Sequence, residues 1–483
     1  MKKVTTNYIF VLLYQVLIII TPIFTMPYVI RVLMPENVGV EAYVSSIVQI
    51  FTAFAALGMG DYGRKVIASV KRKQDLKVEF YSLYLVQSFF SVIILIMYLI
   101  FTFYTKQYQT LFLINILVIL SYVFDITWFY TGQENMKNIM IRNMVVRLGS
   151  MIGIFCFVKS PDDLAIYVWI NAATLLVGQL VTWLPLLKNL NGFAFDWSKA
   201  KKHLKPVMTV AIVPIITLIP LALNKVILGN VTSAMEVGFY NQAFKLMTLF
   251  VVFVTALSTV MSPRMVKQHN SDNKEDFERS TYFSFRYVAL STLPLVTGLI
   301  AIAPLFIPLF LGVSFGPSVL NLQILAPALF FSGLAGIFGL QILVTTGRNK
   351  SYAFSVFIAA IISLGTNFVL IQLLGSYGTA ISYVIFTIVT CMIQAFFARK
   401  YFSIKKMMRQ ISPYMVASLI AYGYEVGVTY VLTGMPVVII LAAQVAVGGV
   451  IYFVILFLLR DPLLLKAWQI LKSKIPHKAQ EER

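Results

Sequence analysis

The chain has 483 residues, 59% hydrophobic and 12% charged, about half the charged fraction of a soluble domain. Lys and Arg outnumber Asp and Glu 39 to 19, for a net charge of +20, but the basic residues sit in short gaps between apolar runs, which is a membrane-topology pattern and not a nucleic-acid one. Cys156 and Cys391 lie within apolar runs and His203, His269 and His477 lie in basic gaps, so neither a disulfide framework nor a thiolate or histidine metal centre is expected.

A helix needs about 20 apolar residues to cross the hydrocarbon. After Met1-Lys2-Lys3 the first apolar run continues from Tyr8 to about Leu33. It is longer than a signal-peptide core and no small-x-small cleavage site follows, so it reads as an uncleaved first membrane helix. Fourteen segments are predicted: 7–33, 38–60, 80–104, 110–131, 143–158, 164–187, 207–229, 234–261, 283–311, 318–346, 351–373, 376–398, 411–432 and 436–459. The fifth is short and has room to extend back toward Ile141.

Of the 39 Lys and Arg, 32 fall in every second gap or at the two ends, and five lie inside the segments. Lys106 and Lys159 lie in the other gaps. Basic residues hold loops in the cytoplasm, so both termini and every second gap are predicted cytoplasmic. These gaps also suit anionic lipid headgroups. The alternate gaps, such as Met34–Asn37 and Asn230–Ser233, are a few residues long. An active site built on a large outer loop is thereby excluded.

The gap 188–206 divides the first twelve segments into two sets of six. The expected organisation is a six-helix bundle over 1–190, a basic cytoplasmic linker over 191–206, and a second six-helix bundle over 207–400. Helices 13 and 14 follow over 411–459, then a basic cytoplasmic tail over 460–483. The two sets share an order of features. Helix one carries Pro22 and Pro27, and helix seven Pro214 and Pro220. A basic residue follows each pair, Arg31 or Lys225, and then a Val-Gly pair opens the next helix, Val38-Gly39 or Val237-Gly238. Six is an even number, so both repeats share one orientation. Proline-interrupted helices at matching places point to a transport site and its hinges, although prolines are common in membrane helices in any case.

Ionisable groups inside a membrane are costly and therefore candidates for function. The basic ones are Arg31, Arg147, Lys225, Lys245 and Arg286; the acidic ones are Asp125 and Glu425, with Glu41 near a helix end. Lys245 lies near mid-membrane and is expected to face a water-filled cavity. Arg31 and Lys225 share the place after the paired prolines, with snorkelling to the headgroups as the alternative. Asp125 closes helix four, and a helix hairpin is expected to bring it to Arg147 as a structural ion pair, with a coupling role as the alternative. Glu425 stands alone in helix thirteen, either protonated and inert or lining a groove, and Asp125, Glu41 and Glu425 are the candidates to carry a coupling proton. No Gly-x-x-x-x-Gly-Lys loop is present, so ATP hydrolysis is not expected. Gly58, Gly60 and Gly63 end a membrane helix with no strand before them and do not form a nucleotide site.

Two stretches carry a resemblance. Pro27-Tyr28-Val29-Ile30-Arg31-Val32-Leu33 through Gly39 leads to Leu57-Gly58-Met59-Gly60-Asp61-Tyr62-Gly63-Arg64. The second runs from Asp125 to Glu134 and on to Arg142-Asn143. Together they resemble the Wzx-type polysaccharide flippases of the multidrug/oligosaccharidyl-lipid/polysaccharide exporter superfamily. The resemblance implies an all-α polytopic fold, two six-helix bundles in a V-shaped, MATE-like arrangement plus two C-terminal helices. It implies a monomer in the bacterial cytoplasmic membrane, using alternating access through a cationic central cavity. The implied substrate is an undecaprenyl-diphosphate-linked oligosaccharide, moved from the inner to the outer leaflet, with the polymerase and glycosyltransferases of its pathway as partners. By position Arg31 matches the family's helix-one basic site. Lys225 stands where a polar or acidic residue is usual, which makes Asn224 the alternative cavity residue. No cofactor is implied beyond coupling to a proton or sodium gradient or the membrane potential.

The charges agree with this resemblance on their own terms. A lipid diphosphate is anionic, and Arg and Lys bind phosphate by charge-assisted hydrogen bonds. A proton- or sodium-coupled multidrug or metabolite extruder is the main rival, but cationic cargo calls for buried carboxylates, and the spans hold more bases than acids. A membrane-embedded polysaccharide polymerase or glycosyltransferase is a further rival, and it lacks the large loop it would need.

Overall fold

The computed structural model describes residues 2–189, 196–271, 273–465 and 468. It is 89% helix, and the described residues contain no strand. In chain order the helices are α1 (Lys2–Ala56), α2 (Met59–Ser69), α3 (Lys73–Tyr104), α4 (Gln109–Ile114), α5 (Ile116–Val123) and α6 (Thr127–Gly132). There follow α7 (Met136–Phe157), α8 (Leu164–Asn189), α9 (Trp197–Val231), α10 (Ala234–Asn270), α11 (Lys274–Phe310), α12 (Ser318–Leu325) and α13 (Ala328–Gly336). A π-helix over Ile337–Val344 leads to α14 (Asn349–Leu374), α15 (Ser376–Ala398), α16 (Ile404–Val431) and α17 (Val437–Leu458).

Every predicted segment is helical, and eleven stretches of the described residues are long and apolar enough to cross a membrane. The predicted first and second segments merge into one continuous stretch, and α10 and α16 are not among the eleven. In α1 the short gap Met34–Asn37 is not a loop. The helix breaks only at Met34 (φ 67°, ψ 163°), immediately before Pro35. Proline removes an N–H and drives the residue before it out of the helical region. The irregular backbone of α1 therefore lies beyond Pro22 and Pro27, at a third proline. The fourth segment is divided into α4, α5 and α6, and the tenth into α12, α13 and the π-helix. The fifth begins at Met136, earlier than expected, because Arg142 and Asn143 satisfy each other and α8 instead of ending the helix.

The helices form two compact units, Met1–Asn241 with Leu364–Thr379, and Gln242–Ser363 with Ala380–Arg483. These units follow packing, whereas the boundaries 1–190 and 207–400 follow a repeat in the sequence. In particular, α9 lies along α1 and belongs to the first unit. The region expected as a linker is helical from Trp197, started by Asp196, whose carboxylate accepts from Ser198 N and Lys199 N at 2.9 and 3.2 Å. Residues 191–195 and most of the basic tail, including His477, lie outside the described residues.

Inside the first unit one core joins α2, α3 and α6 around Phe80, Trp128 and Phe129. Two glycines interlock α2 and α6. A Cβ at Gly63 would lie 2.8 Å from the Trp128 ring, and one at Gly132 would lie 2.8 Å from Ile67. Gly58 has φ +65° in the turn before α2 and approaches the backbone of Ala211 on α9. The second unit is built around Phe285, Phe338 and Tyr414 of α11, the π-helix and α16. There Gln341 is fully buried, accepting from Ser284 Oγ at 2.7 Å and donating to Ser258 Oγ at 3.1 Å.

Candidate transport site

The residues expected to bind substrate fall into three environments. Asn224 is buried at 1% exposure, and its Oδ1 accepts from Asn367 Nδ2 at 2.8 Å. Its carboxamide ties α9 to α14 and is not presented on an open surface. Lys225 beside it is part-exposed, and Arg31 on α1 is exposed. Both interact with neighbouring groups. Lys245 is exposed on α10. It lies about 16 Å along that helix from Ala234, at 1.5 Å per residue. Its ammonium is solvent-accessible in the fold, well away from either end of the helix. Its flanks are buried and polar on one side, with Asn241 and Gln242 each at 2% exposure, and apolar on the other, with Leu246 and Met247.

The carboxylates behave differently from the expectation. Asp125 Oδ1 accepts from Thr127 N at 2.9 Å and from Thr127 Oγ1 at 2.6 Å. It thus closes an Asx turn just ahead of α6, whose N-cap, Ile126, has no side-chain cap. Its carbonyl accepts from Gln87 Nε2 at 2.7 Å and Trp128 Nε1 at 3.2 Å. The expected Asp125–Arg147 ion pair does not occur among the described residues; Arg147 Nε is buried without a hydrogen-bond partner. The reason is local. The chain turns between α5 and α6, and the Thr127 donors lie closer than any group on α7. Glu41 accepts from Ser45 Oγ at 2.7 Å within its own helix. Glu425 is buried at 6% exposure. Pro22 and Pro27 lie within α1, and Pro214 and Pro220 within α9.

Three polar arrangements escaped the sequence. Arg142 on α7 donates through Nη1 to Gly178 O at 3.1 Å and Gln179 Oε1 at 2.9 Å, both on α8, and through Nε to Asn143 Oδ1. Beside it an open groove of about 650 Å³ runs between α7 and α8, lined by Val145, Trp169 and Val177. His203 of α9 links Tyr62 OH at 2.8 Å to Glu79 Oε2 at 2.9 Å, and Lys199 lies 3.6 Å from the same carboxylate. Glu236 accepts from Ser376 N at 2.9 Å at the start of α15. A basic gap next to a membrane helix was the signal for His203. Nothing in the sequence pointed to Glu236.

An all-helical chain with eleven stretches long and apolar enough to cross a membrane among the described residues is a polytopic membrane protein, and solved structures share the fold. The chain is similar to lipid II flippase MurJ in an inward closed conformation, with TM-score 0.72 and 16% identity over 95% of this chain and 99% of that one. It is also similar to an inward-facing multidrug resistance MATE family transporter of the MOP superfamily, with TM-score 0.62 and 13% identity over 81% of this chain and 95% of that one. The polysaccharide biosynthesis protein family matches residues 4–269, and the chain belongs to that family. Relatives named "Putative O-antigen transporter" occur in Escherichia coli (strain K12) and Shigella dysenteriae. The first is 21% identical over 75% of this chain and 88% of its own length, the second 22% identical over 76% and 92%.

Proposed function

We propose that the protein is a flippase for a lipid-linked polysaccharide precursor, and not an enzyme. It moves an undecaprenyl-diphosphate-linked oligosaccharide from the inner to the outer leaflet of a bacterial cytoplasmic membrane. The observation that carries the proposal is Lys245, exposed on α10 about 16 Å along the helix from Ala234. An exposed cation at that position suits a diphosphate in transit, and family membership supplies the polysaccharide. Exposed Arg31 on α1 is a second phosphate contact, offering a planar fork where lysine offers a point charge. Lys225 stands beside it in this reading, and Asn224 is a structural neighbour. Both termini lie in the cytoplasm. A monomer works by alternating access between the six-helix sets 1–190 and 207–400, bending near Pro22, Pro27, Pro214 and Pro220. The membrane potential favours outward movement of an anion, by about 2.3 kcal/mol per charge at 100 mV. The polymerase and glycosyltransferases of the same pathway supply and consume the cargo.

The test uses purified protein in proteoliposomes loaded with a lipid-diphosphate oligosaccharide, with an impermeant glycosidase outside. Protein-dependent exposure of inner-leaflet sugar is expected, faster with an inside-negative potential. No exposure of sugar, together with gradient-driven movement of small organic cations, would replace the flippase by an extruder.

A further inference from the structure

Glu425 is a polar group for which the transport reading has no use. The three helices α11, α16 and α17 pack on one another in the second unit, and Glu425 projects from α16 into their interior at 6% exposure. Its carboxyl sits between two glycines. A Cβ at Gly448 on α17 would overlap it, and one at Gly298 on α11 would lie 3.9 Å from Oε1. Oε2 is buried and has no hydrogen-bond partner. Gln444 of α17 donates to the Glu425 carbonyl at 3.1 Å and to Thr429 Oγ1 at 2.8 Å, which leaves Gln444 Oε1 buried and unpartnered as well. Two acceptor oxygens around one residue therefore lack a donor.

A protonated carboxyl carries the O–H that such a place lacks, whereas an ionised one can only accept. An ionised carboxylate with a buried, unpartnered oxygen is not sustained in an apolar interior. The site is thus shaped for a neutral acid. Tyr414, Ser418 and Glu425 occupy one face of α16, at spacings of four and seven residues, and the first two are each 1% exposed. Tyr414 OH donates to Asp461 Oδ2 at 2.5 Å, and Tyr452 OH of α17 donates to Leu290 O of α11 at 2.9 Å. The other titratable groups along these spans are Tyr282, Arg286 and Tyr287 on α11, Tyr414, Tyr422, Tyr424 and Tyr430 on α16, and Tyr452 on α17. Among the described residues none of them forms a hydrogen bond or ion pair with the Glu425 carboxyl.

We propose that Glu425 is a proton-binding site of the transport cycle. The carboxylate takes up one proton from water to become the neutral acid between Gly298 and Gly448, and returns that proton to water later in the cycle. Nothing else changes bonding. The inference rests on the flippase reading for what the proton drives. With an inside-negative membrane, an inward proton and an outward anion both move down the electrical gradient.

The experiment has two arms, both on the full chain. Without substrate, infrared difference spectra between acidic and alkaline buffer follow the carboxylic-acid carbonyl band. Wild type is expected to show a titrating band that is absent in Glu425→Gln. In proteoliposomes with a lipid-diphosphate oligosaccharide, external acid is expected to accelerate flipping by wild type. Glu425→Gln is expected to lose that response, and Glu425→Asp to keep it with a displaced pH profile. An unaltered gradient response in Glu425→Gln, or a response to sodium and not to protons, overturns the proposal. If Glu425→Gln does not accumulate, Glu425→Asp decides, and an undisplaced pH profile overturns the proposal. A titrating Glu425 band in a protein that flips nothing keeps the proton site and removes the flippase instead.

Discussion

At Asp125 one carboxylate oxygen holds both the N–H and the hydroxyl of Thr127. Asp125→Ala is expected to lose about 1 kcal/mol of stability, the usual net worth of an intramolecular hydrogen bond. Asp125→Asn retains an acceptor and should stay close to wild type. Thermal unfolding in detergent measures both, and equal damage from Asn and Ala would show that the charge matters and not the acceptor. The sequence reading paired Asp125 with Arg147 on the principle that buried charges seek countercharges. The turn between Phe124 and Thr127 was signalled only by Asp125 itself, a residue type whose carboxylate accepts from the backbone two positions on. Lys245 was singled out for a different reason: position along a helix is a count of residues. Lys245→Ala is expected to abolish polysaccharide export while membrane levels of the protein are unchanged. Lys245→Arg should retain part of the export, because it keeps a cation at the same depth. Normal export by Lys245→Ala would remove this residue from the transport path.

At the scale of elements, apolar runs located the helices well, since a lipid-embedded backbone must satisfy itself within each run. What the runs did not show is where a helix breaks and resumes. Segments four and ten are interrupted at Asn115, at Phe124-Asp125-Ile126 and at Ala326-Pro327, breaks too short to lower the hydropathy averaged over a whole span. Gln341 was invisible as well, because a glutamine in a span reveals nothing of its serine partners on α10 and α11. The spaced glycines near residue 60 separate into distinct roles. Gly63 lies against the Trp128 ring, so Gly63→Val should overpack α2 against α6 at a cost of about 1–3 kcal/mol. Gly60 lies in the same helix with nothing within 4 Å of a Cβ. Gly60→Ala should therefore be neutral or stabilising by about 0.5–1 kcal/mol, as for any exposed helical glycine. The melting temperatures of the two variants should move in opposite directions or only the first should move. A large loss in Gly60→Ala would mean that this glycine has a role other than packing.

At the scale of the whole chain, the repeat was legible as a correspondence of features, but not as a contact. The Val-Gly pairs that match between the two six-helix sets meet each other in the first unit. A Cβ at Gly39 would overlap the Ala234 carbonyl and lie 3.0 Å from Gly238 N, and a Cβ at Gly238 would lie 2.6 Å from the Pro35 carbonyl. Backbones this close need residues without side chains, as small-residue crossings in membranes generally do. The crossing also lies next to the Met34–Pro35 break in α1. Because both glycines serve one approach, their substitutions should not add. Gly39→Ala and Gly238→Ala are each expected to lower the amount of folded protein in the membrane. The double variant is expected to lose clearly less than the sum of the two, since the first substitution already separates the backbones. Quantifying detergent-stable protein in the four strains measures the coupling. Full additivity would mean that the two glycines act at independent places, and that the sequence repeat is not expressed as a contact.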